Sequence, residues 1–330
     1  MSPTHDILAV GNAIVDVLGP TDDAFLRQHD VPKGGMVLIG ADKAHEITQA
    51  LDATAQVAGG MVGNSCAVLA SLGGQARFVG KVGDDALGQV YRASMSDVGV
   101  LMETASHETM PTGRCLIAVT PDAERSMATS LGAAGHVTEA DIRTEEVASA
   151  RYAFLEGFLF EGEASRSALG AVVRAARGAD AKVAITLCDT GLVERQHDAL
   201  LAFVRDGVDL VFANEAEAMA LTGTDDVDAG VAAMQGLVPS AAVTRGADGS
   251  TVFGPGAAPR TVPAIAPERL VDTTGAGDAY AGGFLFGVTR GRPLEDCARL
   301  GGLAASEVIS HMGPRPQRSL RAMAEAARLV

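Results

Sequence analysis

The stretch Asp272-Thr273-Thr274-Gly275-Ala276-Gly277-Asp278 holds the densest chemistry in this 330-residue chain. It follows the apolar pair Leu270-Val271 and opens an apolar run at 279–288, the pattern of a helix that begins at a glycine turn. A helix N-terminus leaves backbone N–H groups unpaired and carries a partial positive charge. Small residues let an anion approach those groups closely. Asp278 then stands where a carboxylate can reach a hydroxyl beside the anion. An anion hole from the N–H groups of Gly275, Ala276 and Gly277, with Asp278 as base for an alcohol, makes up the parts of phosphoryl transfer. On local physics alone, an N-capped helix after a glycine turn explains the same residues equally well.

Competing chemistries lack their residues. No G-x-x-x-x-G-K-[ST] occurs, and Gly275/Gly277 lack the third glycine of G-x-G-x-x-G. Nor does Gly11-Asn12-Ala13, after the first strand, supply a dinucleotide fingerprint. Cys66, Cys115, Cys188 and Cys297 are scattered without a CxxC pair, and read as reduced thiols of a cytoplasmic protein. Seven dispersed histidines offer no metal spacing. A formal charge of −15 argues against nucleic acid as a partner, yet a few backbone N–H groups can still hold a small phosphate. The start shows no basic stretch followed by an apolar one, and 279–288 is far shorter than the ~20 residues of a membrane span. The 39 glycines amount to about 12%, against about 7% in average usage.

The elements that must position these residues alternate between strand and helix. Short apolar runs at 6–10, 77–79, 152–155, 182–186, 210–212 and 241–244 read as buried strands. Helical patterns cover 67–72, 85–97, 163–176, 192–205, 215–221, 275–289, 294–310 and 317–329. Repeated strand–helix units predict an α/β fold with a mainly parallel central sheet and helices on both faces. Residues 33–39 and 112–129 break the rhythm with β-prone stretches, which suit a small second sheet serving as a lid or a dimer surface. With no linker and no internal repeat, one domain over 1–330 is expected, with lid strands inserted at about 11–40 and 98–130.

Residues 271–284, V-D-T-T-G-A-G-D-A-Y-A-G-G-F, resemble the C-terminal signature of the ribokinase (PfkB) family of carbohydrate and nucleoside kinases. Gly59-Gly60-Met61-Val62-Gly63-Asn64, continuing to Ser71-Leu72-Gly73-Gly74, resembles its N-terminal signature, and 79–88 the stretch that follows. Asn214-Glu215-Ala216-Glu217 is similar to its N-x-x-E element, and Thr244-Arg245-Gly246-Ala247-Asp248-Gly249 to the glycine turn before its nucleotide pocket. The resemblance spans residues 6 to about 316, in the family's order. It implies a ribokinase-like fold with a small β-sheet lid and ATP-dependent phosphorylation of an alcohol, with Mg²⁺.

Site roles follow by the same resemblance. Asp16 would accept hydrogen bonds from sugar hydroxyls, with Gly59, Gly60 and Asn64 forming the sugar-contacting loop. Asn214, Thr244, Gly246 and Gly249 would flank ATP, and Glu217 would organise Mg²⁺ through water. Asp272 and Thr274, with Gly313 opposite, match positions where many relatives coordinate K⁺, an ion that not every branch needs. The partners implied are ATP and a small nucleoside or sugar, on a monomer or homodimer.

Several stretches lean to the adenosine kinase branch and to purine salvage: 11–16 (G-N-x-x-x-D), Pro111-Thr112-Gly113, 185–189 and 304–313. Lid residues there cover an adenine ring, a place that Met36, Leu38 and Leu131 could take, although ordinary core packing would also explain them. Phe158 could border the base. Two departures keep a kinase of ribose, fructose or a ketosugar acid open: Arg114 stands where a small Thr is usual, and Met61 where Ser is common. An Arg near the sugar would suit an anionic substrate, or it could point to solvent.

Overall fold

The structure, a computed structural model, describes residues 3–122 and 124–330. Its large sheet has eight strands in the order Arg260–Val262, Ser250–Phe253, Ser240–Thr244, Leu210–Asn214, Lys182–Thr186, Ala150–Glu156, His5–Val10 and Ala76–Val79. The last six named pair parallel with one another, and Ser250–Phe253 pairs antiparallel with both Ser240–Thr244 and Arg260–Val262. Side-chain alternation along the first strand explains the two-sided core: Ile7 and Ala9 enter one apolar cluster, Leu8 and Val10 the other. Strands buried on both faces must be apolar throughout, and for that reason their runs are continuous in the sequence.

The helix Ala276–Val288 is buried along nearly its whole length and lies against Leu294–Val308 and Met61–Ser71. Close approach depends on small residues: a Cβ at Gly283 would come within 2.5 Å of Leu300 O. The helix expected at 192–205 is two helices, Thr190–Arg195 and His197–Gly207, broken at Gln196.

The second sheet has five strands, ordered Met36–Leu38, Arg125–Ser130, Gly113–Val119, Ile14–Pro20 and Ala55–Ala58. Its strands fall partly outside the expected insertions. Ala55–Ala58 lies beyond residue 40, and within 98–112 only isolated bridges at Leu101 and His107 occur. No helix among the described residues is long and apolar enough to cross a membrane.

Candidate active site

Ligands of open parallel sheets bind beyond the carboxyl ends of the strands. Here Asn12, Glu156, Thr186, Asn214 and Thr244, each at or just past the end of a parallel strand, line one cleft of about 530 Å³. The second sheet contributes Ile14, Asp16, Met36, Leu38, Met127 and Thr129 to the same cleft.

Asp278 lies in the first turn of Ala276–Val288 and is 8% exposed. Its Oδ2 accepts from Asn64 Nδ2 at 3.0 Å, and its backbone carbonyl accepts from Ser65 Oγ at 2.8 Å. Burial pushes the carboxyl up to about 6, against the pull of the Asn64 hydrogen bond. It is therefore ionised at neutral pH, yet basic enough to accept a proton. The Ala276 N–H donates to Thr273 O at 3.2 Å, closing the turn. Among the described residues, the N–H groups of Gly275 and Gly277 donate to no protein acceptor, so an anion hole here rests on those two rather than on Ala276.

Asp16 sits over the loop that leads into Met61–Ser71: a Cβ at Gly59 would lie 2.6 Å from Asp16 Oδ2. Burial raises its carboxyl to about 7, opposed by Arg315 and Arg125. Gly60, Met61 and Asn64 line the cleft, and Gly59 does not. Arg114 turns away, donating to Thr48 Oγ1 at 3.3 Å outside the cleft. Met36 and Leu38 are 47% and 56% exposed and line the cleft, so they are not core residues; Leu131 and Phe158 line it half-buried.

Asn214 caps the helix Glu215–Thr222 reciprocally with Glu217. The Asn214 side chain accepts from Glu217 N, and the Glu217 carboxylate accepts from Asn214 N and Nδ2 at 3.0 and 2.8 Å. Burial raises Glu217 to about 7. Among the described residues, no group of three or more His, Cys, Asp or Glu could hold a metal by itself. Mg²⁺ commonly keeps its waters and takes one or two carboxylates plus substrate phosphates. The carboxylate of Glu217, opening on the cleft, fits that mode. Thr244 lines the cleft, whereas Gly246 and Gly249 lie in the turn behind it.

Asp272 has partners already. Its Oδ1 accepts from Thr274 N and its Oδ2 from Gly313 N, and Arg125 of the second sheet pairs with Oδ2 at 3.0 Å. Burial would raise this carboxyl, but those hydrogen bonds and Arg125 hold it below its usual range. With a guanidinium already against the carboxylate, the arrangement does not fit K⁺.

The model of the pfkB family carbohydrate kinases matches residues 28–320. The chain belongs to that family. This pfkB kinase is 28% identical to adenosine kinase 1 of Arabidopsis thaliana over 333 residues, covering 93% of this chain and 94% of that protein. Its fold matches the solved adenosine kinase of Sinorhizobium meliloti at TM-score 0.90 and 42% identity, covering 98% and 99% of the two chains. It matches a probable sugar kinase of Rhizobium etli at TM-score 0.92 and 38% identity over the whole of both chains. The pfkB kinase is accordingly an ATP-dependent phosphotransferase acting on a small molecule.

Glu156, Arg125 and Arg315 stand apart from the motifs, and Asn12, within the 11–16 stretch, has no role assigned there. Asn12 and Glu156 form a buried pair, Asn12 donating from N and Nδ2 to the carboxylate at 3.2 and 2.7 Å. Burial raises Glu156 to about 7. A carboxylate closing the apolar run 152–155 just before a glycine is the signal that marks it. Arg125 and Arg315 give no such signal, because their partners lie about 150 to 250 positions away in the chain.

Proposed function

We propose that this pfkB kinase transfers the γ-phosphoryl group of ATP to the 5′-hydroxyl of adenosine. One observation carries the nucleoside reading: the large apolar side chains Met36 and Leu38 are exposed on the wall of the cleft that also holds Asp16, Asn64 and Asp278. Exposed apolar surface in a cleft suits a flat aromatic base, whereas a free sugar offers hydroxyls on nearly every edge. The orientation of Arg114 supports the same choice, since no guanidinium from that position enters the cleft to favour an anionic sugar.

In this reading Asp16 and the Asn64 amide hold the ribose hydroxyls, a carboxylate offering several acceptor sites to a vicinal diol. Asp278 takes the 5′-hydroxyl proton as the oxygen attacks. The N–H groups of Gly275 and Gly277 hold the charge on the migrating group, an effect worth a few kcal/mol per donor. Mg²⁺, bound with the nucleotide and held through water by Glu217, would neutralise phosphate charge.

The test is ADP release with adenosine, other nucleosides, ribose, fructose and ketodeoxygluconate, on wild type and Asp278→Asn. The expected result is highest kcat/KM for adenosine and a loss of roughly 10²-fold or more in Asp278→Asn. Preference for a free sugar would overturn the nucleoside reading and favour the activity suggested for the Rhizobium protein. Near-wild-type turnover in Asp278→Asn would overturn the base assignment.

A further inference from the structure

An Asn side chain can present either its oxygen or its nitrogen to a neighbour, and only one of the two orientations suits a carboxylate. Asn64 faces Asp278 on one side and Arg315 on the other. Arg315 Nε donates to Asn64 Oδ1 at 3.2 Å, and Asn64 Nδ2 donates to Asp278 Oδ2 at 3.0 Å. A guanidinium has donors only, so it can meet the amide only at its oxygen. That turns the amide nitrogen toward the carboxylate.

The arginine is itself held. Its Nη1 donates to Ser94 Oγ at 2.9 Å and Nη2 to Met95 Sδ at 3.4 Å, both on the helix Ala86–Asp97. The loop that carries it is tied to Asp272 through Gly313 N and to Glu307 through the N–H groups of Gln317 and Arg318. Arg315 is not among the residues that line the cleft.

We propose that Arg315 is a positioning residue for phosphoryl transfer, acting through Asn64 to hold Asp278 in the orientation that receives the hydroxyl proton. The proposal rests on the reading of Asp278 as base. A neutral apolar side chain at 315 would leave the amide oxygen without its donor, and the amide, no longer anchored on that side, could shift and take the carboxylate out of line. The reacting geometry, not ATP binding, would suffer.

A double-mutant cycle on kcat tests it, with Arg315→Met, Asn64→Ala and their combination, at saturating substrates. Arg315→Met is expected to lose roughly ten- to a hundredfold in kcat with KM for ATP unchanged. In the Asn64→Ala background it is expected to lose nothing further. Arg315→Lys, which keeps a cationic donor, is expected to recover part of the loss, and it replaces Arg315→Met in the cycle if the latter fails to fold. Turnover within about twofold of wild type in the single variant, or losses that multiply in the double variant, would overturn the proposal while an inactive Asp278→Asn leaves the base standing. An active Asp278→Asn would overturn both.

Discussion

At the scale of single residues, the two glycines that flank Ala276 do different work. Gly275 has φ +78°, and a Cβ there would come within 2.5 Å of Pro314 Cβ; Gly275→Ala is therefore strained twice, and a stability loss of about 1–3 kcal/mol is expected in thermal unfolding. Gly277 has open space around it and an ordinary helical backbone. Gly277→Ala should leave the melting temperature unchanged or slightly raised, yet its methyl would enter the space assigned to the migrating phosphoryl group. Turnover should fall at least tenfold by ADP release; full activity would move the anion hole elsewhere. Asp278, raised to about 6 by burial, contributes to the acid limb of the rate together with Asp16 and Glu217, raised to about 7. These groups work only when ionised, so kcat/KM should rise with pH through about 6 to 7 and level off above that. A profile flat from pH 5 to 8 would remove Asp278 from that role. Asp278 was legible from its spacing at a helix start, and Asp16 and Asn64 from the family resemblance of the stretches that carry them. Arg315 was not, since a charged residue in a Gly-Pro-Arg-Pro turn looks like surface until the fold brings Asn64 and Ser94 to it.

At the scale of elements, legibility followed apolar content. The six parallel strands of the large sheet read as apolar runs, whereas Ser250–Phe253, buried but half polar, and Arg260–Val262, exposed at two of three positions, gave no such run. Likewise, Ala55–Ala58 is exposed at three of four positions, and Ile14–Pro20 interleaves Asp16 among apolar residues. Such half-open strands carry a weak pattern, and the second sheet was legible only in outline, with the helices Asp23–Gln28 and Ala41–Ala50 between its strands unmarked. The same sheet supplies a contact that no local pattern encodes: Arg125, from Arg125–Ser130, against Asp272 before the catalytic helix. That ion pair takes the position which the family resemblance assigned to a monovalent cation. Exchange of K⁺ for Na⁺ or choline at constant ionic strength is accordingly expected to leave kcat within about twofold, since an opposite charge already compensates the carboxylate. A tenfold fall on removing K⁺ would show that the pair opens during turnover and that the cation does bind there.

At the scale of the whole molecule, six carboxyl groups line one cleft in a chain of charge −15, and burial shifts four of them. Burial raises Asp16, Glu156 and Glu217 to about 7 and Asp278 to about 6. Their ordinary values, 3.8 for Asp and 4.5 for Glu, describe the unfolded chain. Between those values and about 7 the native state binds more protons than the unfolded one, so stability falls as pH rises. It is fully present below the ordinary values and lost as pH passes the raised ones. Asp272 and Asp85 are held low and act with the opposite sign, but in a lower range, beneath 3.8. His5, pushed below 6.5 by burial, opposes the trend as a single group. The melting temperature of the ligand-free protein is therefore expected to decline from pH 5 to pH 8. Glu156→Gln should make that decline shallower, because it removes the buried titrating group while keeping an oxygen for the Asn12 and Val62 N–H groups that Glu156 now accepts from. An unchanged slope in this variant would mean that Glu156 stays ionised in the folded protein and that its bonds to Asn12 outweigh its burial. The fold, on this account, gives up stability at neutral pH to keep an acidic cleft.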